Sequence, residues 1–95
     1  MGEEDIGDRR MHPAKVQLRG FDGEEILEIL KSVEKAEVVR SRDGVDLFFE
    51  NVDDARIFVS KLKKRFRVAS KMSTESLGFK SRARYLFVYS VRKLK

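Results

Sequence analysis

The chain has 95 residues, 41% of them hydrophobic and 39% charged, with no cysteine. That length and apolar share suit one domain with one modest core, excluding wholesale disorder, and the absence of cysteine excludes a disulfide scaffold or a cysteine-based zinc site. The formal net charge is +5, but up to residue 60 nine Lys/Arg stand against fifteen Asp/Glu, and after it twelve stand against Glu75 alone.

Residues 1–12 are polar and predict a flexible tail, and Pro13 opens a single α/β domain over 13–95. Ala14 to Gly20 alternates, with Val16 and Leu18 on one face and Lys15, Gln17 and Arg19 on the other, which predicts a half-buried strand. Phe21-Asp22-Gly23 reads as a turn, with Asp22 as a helix cap. Glu24 to Lys35 carries Ile26, Leu27, Ile29, Leu30 and Val33 at helical spacing, acids first and lysines last, as the helix dipole favours.

Two strands, Ala36 to Arg40 and Val45 to Glu50, flank Ser41-Arg42-Asp43-Gly44, where Asp-Gly signals a hairpin. On the second of them Val45, Leu47 and Phe49 share one face, and Asp46, Phe48 and Glu50 the other. Asn51 caps a helix expected to reach about Phe66, with Ala55, Phe58, Val59, Leu62 and Phe66 as its apolar stripe. Val68 to Met72 predicts a strand, Ser73 to Ser81 a loop, and Arg84 to Arg92 the longest strand, apolar on both faces.

This order predicts a two-layer α+β sandwich: β-α-β-β-α-β with an extra C-terminal strand, and two helices on one face of a mostly antiparallel sheet. The sheet's other face would then display Lys15, Gln17, Arg19, Asp46, Phe48 and Glu50, joined by Tyr85, Phe87 and Tyr89. Cations beside aromatics there could hold single-stranded RNA, or Phe48, Tyr85, Phe87 and Tyr89 could form a partner face. Equally, Lys15 and Arg19 could pair with Asp46 and Glu50 across strands.

The stronger signal is the basic C-terminal third. Lys61, Lys63, Lys64, Arg65 and Arg67 crowd the end of the second helix, and Lys71, Lys80, Arg82 and Arg84 follow. Many long cationic side chains without strict geometry are what backbone phosphates need. Helix-dipole complementation accounts for one or two of these lysines and no more. The high share of both charge signs without cysteine also fits a thermophile's protein.

No catalytic residue, metal site or cofactor is expected: the single histidine, His12, lies in the tail, and no P-loop, G-x-G-x-x-G or H-E-x-x-H pattern occurs. The longest apolar runs fall far short of the ~20 residues of a membrane helix, and the acidic opening Glu3-Glu4-Asp5 is unlike a signal peptide. A cytoplasmic protein is expected.

Several stretches together carry a resemblance. They are Val16-Gln17-Leu18-Arg19-Gly20, Gly44-Val45-Asp46-Leu47-Phe48-Phe49, and Asp54-Ala55-Arg56 leading into Lys61-Leu62-Lys63-Lys64-Arg65-Phe66. Glu75-Ser76-Leu77-Gly78-Phe79-Lys80 and the run from Tyr85 to Arg92 complete the set. In order and spacing they resemble the central domain of the nonsense-mediated-decay-three family, adaptors of late large-ribosomal-subunit assembly and export with archaeal relatives. The resemblance covers about residues 14–92 and implies an archaeal-type, stand-alone module that binds the large ribosomal subunit or its RNA. It implies no metal here, because the family's zinc-binding cysteine pairs have no counterpart. The competing expectation is a protein-interaction or homodimerisation module whose aromatic last strand pairs with a partner.

Overall fold

The computed structural model describes residues 13–34, 36–76 and 85–94. Five strands and two helices alternate along it: β1 (Ala14–Arg19), α1 (Gly23–Lys31), β2 (Ala36–Ser41), β3 (Gly44–Phe49), α2 (Val52–Arg65), β4 (Val68–Ser76) and β5 (Tyr85–Lys93). The strands form one sheet in the order β2-β3-β1-β5-β4. Every neighbouring pair is antiparallel except β1 and β5, which run parallel. The expected architecture holds, and the extra C-terminal strand enters the sheet between β1 and β4.

The alternating strands pack as their pattern dictates. Ala14, Val16 and Leu18 of β1 and Val45, Leu47 and Phe49 of β3 are buried against Ile26 and Ile29 of α1 and Ala55, Phe58, Val59 and Leu62 of α2. Val91 joins them from β5, with Phe87 and Tyr89 packed against the cluster. Both helices therefore lie on the face that carries the odd-even set beginning at Ala14.

Local chemistry starts each helix. Asp22 caps α1 and accepts from the Glu25 amide at 2.8 Å, while the Glu25 carboxylate accepts from the Asp22 amide at 2.9 Å. That reciprocal box satisfies two otherwise orphaned donors. Asn51 caps α2, accepting from the Asp54 amide at 2.9 Å. α1 stops at Lys31, four residues before the expected Lys35: the Ser32 hydroxyl and amide both donate to the Ile29 carbonyl, at 2.9 and 3.1 Å, and Val33 turns back to Leu30 at 3.2 Å. Such i to i+3 bonds tighten and end a helix.

The loop expected from Ser73 is strand as far as Ser76, paired with β5 from Val68↔Lys93 to Ser76↔Tyr85. Residues 77–81 of that expected loop lie outside the described residues, as does the 1–12 tail with His12. The β2–β3 turn depends on Gly44, at φ +154°, where an added Cβ would meet the Leu18 carbonyl oxygen at 2.1 Å.

Candidate nucleic-acid interface

The burial of Ala55, Phe58, Val59 and Leu62 fixes the orientation of α2. Asp53, Arg56, Ile57, Ser60, Lys61 and Lys64 then line a shallow hollow on its outer surface. Lys63 and Arg65 flank this strip in the last turn, and Arg67 follows, exposed, before β4. Arg65 is partly occupied: its guanidinium lies 3.6 Å from Glu28 of α1 and 5.5 Å from the Phe66 ring centroid. Among the described residues, Lys61, Lys63, Lys64 and Arg67 have no carboxylate within salt-bridge distance. α2 thus gathers five of the expected cations around one helix end. Arg56, not anticipated, extends the strip, and the four-residue steps from Arg56 to Ser60 and from Ser60 to Lys64 are the signal that points to it.

The other expected cations separate. Lys71 is in register with Ser90, which is in register with Gln17, so it lies on the sheet face opposite the helices. Lys80, Arg82 and Arg84 lie outside the described residues.

That opposite face holds the second expected site, and cross-strand pairing organises it. Arg19 Nη2 is 3.0 Å from Asp46 Oδ1, and its Nη1 donates to the Leu18 carbonyl at 2.9 Å. Asp46 Oδ1 is buried and receives no well-angled hydrogen bond, so the ionic contact with Arg19 is what compensates it. Ser90 donates to Gln17 at 3.0 Å. Lys15 lies opposite Phe48 in register, its ammonium 5.9 Å from the ring centroid. Arg19 is therefore committed within the fold, while Lys15 and Phe48 remain a small cation-aromatic pair. Arg92, directly beside Arg19 in the β1–β5 register, is a further cation here that sequence reasoning missed.

The aromatic set divides. Phe87 and Tyr89 pair with Ala14 and Val16, the buried side of β1, so they belong to the helix face and not beside Phe48. Tyr85 alternates onto the same side and is 50% exposed. The reason is packing: β5 is apolar on both faces, and the face bearing Phe87, Tyr89 and Val91 supplies the larger side chains to the helix layer. Burial pushes the Tyr89 phenol above its ordinary pKa, with Arg56 pulling it down and Asp53 pushing it up, so α2 stands close to this ring. Nor is β5 an edge. β1 and β4 flank it, so it cannot offer a free strand to a partner, and the edges are β2 and β4.

Among the described residues, no group of three or more His, Cys, Asp or Glu could hold a metal ion, and no helix is long and apolar enough to cross a membrane. The arrangement can bind anions along α2; no group of side chains converges there as a reacting centre.

No curated protein matches the chain. The family model described as NMD3, second domain, matches residues 12–92, from just before β1 to within one residue of the end of β5. The resemblance carried by the β1, β3, α2 and β5 motifs is thereby borne out, and the chain belongs to the NMD3 family.

Proposed function

We propose that this domain is a non-catalytic RNA-binding module that docks on the large ribosomal subunit, with the outer surface of α2 lying against the phosphate backbone. The carrying observation is the run of cations without carboxylate partners at the end of α2. Lys61, Lys63 and Lys64 point away from the core and form no salt bridge with any described acid, with Arg67 beyond them. A cation already paired gains little from a phosphate, whereas an exposed one releases a counterion for each phosphate it neutralises. Membership of the NMD3 family supports a ribosome-associated role, and the +5 charge supports a polyanionic partner. Work in large-subunit assembly, in the cytoplasm, is the finer part of the same reading.

The test is co-sedimentation with purified large ribosomal subunits over a range of salt. Binding should weaken steeply as salt rises, and the triple variant Lys61→Glu, Lys63→Glu and Lys64→Glu should lose it at a salt concentration where the wild type is retained. Absence of binding by the wild type at low salt, or equal binding by the variant, overturns the proposal.

A further inference from the structure

We propose that the β4 edge is a self-complementary surface through which two copies of this chain pair as an antiparallel, two-fold symmetric dimer. This inference is independent of the RNA reading and is tested on nucleic-acid-free protein.

β4 is long for an edge strand, nine residues, and contains neither proline nor glycine. From Ala69 to Glu75 every residue is exposed and β4 ends the sheet, so both faces of the strand as well as its outer edge are accessible. Met72, on the helix side opposite Tyr89, is 53% exposed. Natural edge strands are usually shortened, bulged, interrupted by proline or charged toward one sign, because an unpaired row of amides and carbonyls invites pairing. β4 has none of the first three devices, and its two charges are of opposite sign.

The position of those charges identifies a second copy as the occupant. Two antiparallel strands within one sheet can be related by a two-fold axis only if that axis is perpendicular to the sheet, because facing residues must point to the same side. Facing residue numbers then sum to an even number, and one residue faces its own copy. Centred on Ser73, this places Lys71 opposite the partner's Glu75 and Glu75 opposite the partner's Lys71. Both pairs lie on the face without helices, because Lys71, Ser73 and Glu75 alternate together there. Met72 then faces the partner's Thr74 on the helix side. Opposite charges directly across a strand pair are favourable, and the isologous arrangement makes the contact twice.

The other edge does not have this property. On β2 the numbers of the opposite charges Glu37 and Arg40 sum to an odd total, so no two-fold register places them face to face. β4 differs from β2 in parity, which is set by the sequence.

The experiment is sedimentation equilibrium on the purified full chain, from low micromolar to near-millimolar concentration. The wild type should show a concentration-dependent dimer. Lys71→Glu alone and Glu75→Lys alone each put like charges opposite one another twice, and should weaken dimerisation by about tenfold or more. The double variant K71E/E75K restores opposite pairs and should restore the dimer. Circular dichroism melts check that all three variants fold. A wild type that stays monomeric throughout overturns the proposal. So does a dimer indifferent to both single reversals, or a folded double variant that fails to recover it.

Discussion

The Lys93 ammonium closes on the Glu25 carboxylate, so the end of β5 is tied to the first turn of α1. Glu25 is also half of the α1 capping box, and Lys93 lies 5.9 Å from the Phe66 ring centroid, which in turn meets Phe21 edge-on at 5.3 Å. One carboxylate therefore links the start of the first helix, the end of the second and the last strand.

Acid should loosen this corner first. The hydrogen bond from Lys93, followed by the one from the Asp22 amide, holds the Glu25 carboxyl below its usual pKa. A depressed carboxyl contributes stability that is present above its unfolded pKa and is lost as pH falls through the folded one. Glu25→Gln should therefore lower the urea midpoint at neutral pH, and the gap from wild type should narrow below about pH 4. Urea titrations at neutral pH and near pH 3 measure it, and an equal gap at both would refute the linkage.

Gly44 of the hairpin and Gly23 at the start of α1 should respond in opposite ways to alanine. At Gly44, φ is +154° and a Cβ would sit 2.1 Å from the Leu18 carbonyl oxygen, so Gly44→Ala must displace backbone of a core strand. A loss of about 2 kcal/mol or more is expected. At Gly23, the first residue of α1, nothing lies within 4 Å of the added atom. Gly23→Ala should be neutral or stabilising by up to ~1 kcal/mol. Chemical denaturation of the two variants side by side gives both values.

These contrasts follow how legible each element is in the sequence. β1, β3 and α2 carry one apolar face each, so alternation or helical spacing reveals both their type and their orientation. Asp22 and Asn51 mark the two helix starts because a cap needs a short polar side chain at one position. β4 beyond Met72 has no such mark: Ser73, Thr74 and Glu75 are exposed whichever face they occupy, and an edge strand that buries nothing shows no alternation. β5 has the opposite ambiguity. Its residues separate into Leu86 with Val88 and Phe87 with Tyr89, but only the parallel register with β1 decides which set meets the helices. The basic end of α2 was readable because charge density needs no long-range geometry. The division of Lys71 from that cluster was not, because it depends on which way a two-sided polar strand faces.

Alkaline pH gives an independent reading of the β5 orientation. Desolvation raises the Tyr89 phenol, so its proton is held more tightly in the folded state than in the unfolded chain. The associated stability is present below the unfolded pKa of about 10 and is lost as pH rises through the folded value. Tyr89→Phe should remove that part of the alkaline loss, leaving a flatter melting temperature above about pH 10. A variant that loses stability with alkali as steeply as wild type would place Tyr89 on the solvated side.

Arg19 and the α2 lysines should be separable by function. Arg19 compensates a buried carboxylate oxygen of Asp46 and braces the Leu18 carbonyl next to the Gly44 turn. Arg19→Ala leaves that oxygen without its partner, which should cost about 1–3 kcal/mol of stability. The same substitution removes no cation that is free to meet a phosphate, so the salt dependence of RNA binding should be nearly unchanged. Lys61→Ala and Lys64→Ala should do the reverse. They leave no described acid unpaired, so stability should move by no more than ~0.5 kcal/mol, while each should reduce the slope of log affinity against log salt by about one unit. Measuring melting temperature and salt slope on the three variants separates Arg19 from the two lysines on both readouts. If Arg19→Ala lowers the slope as much as either lysine does, the phosphate path crosses the sheet face and not the outer surface of α2.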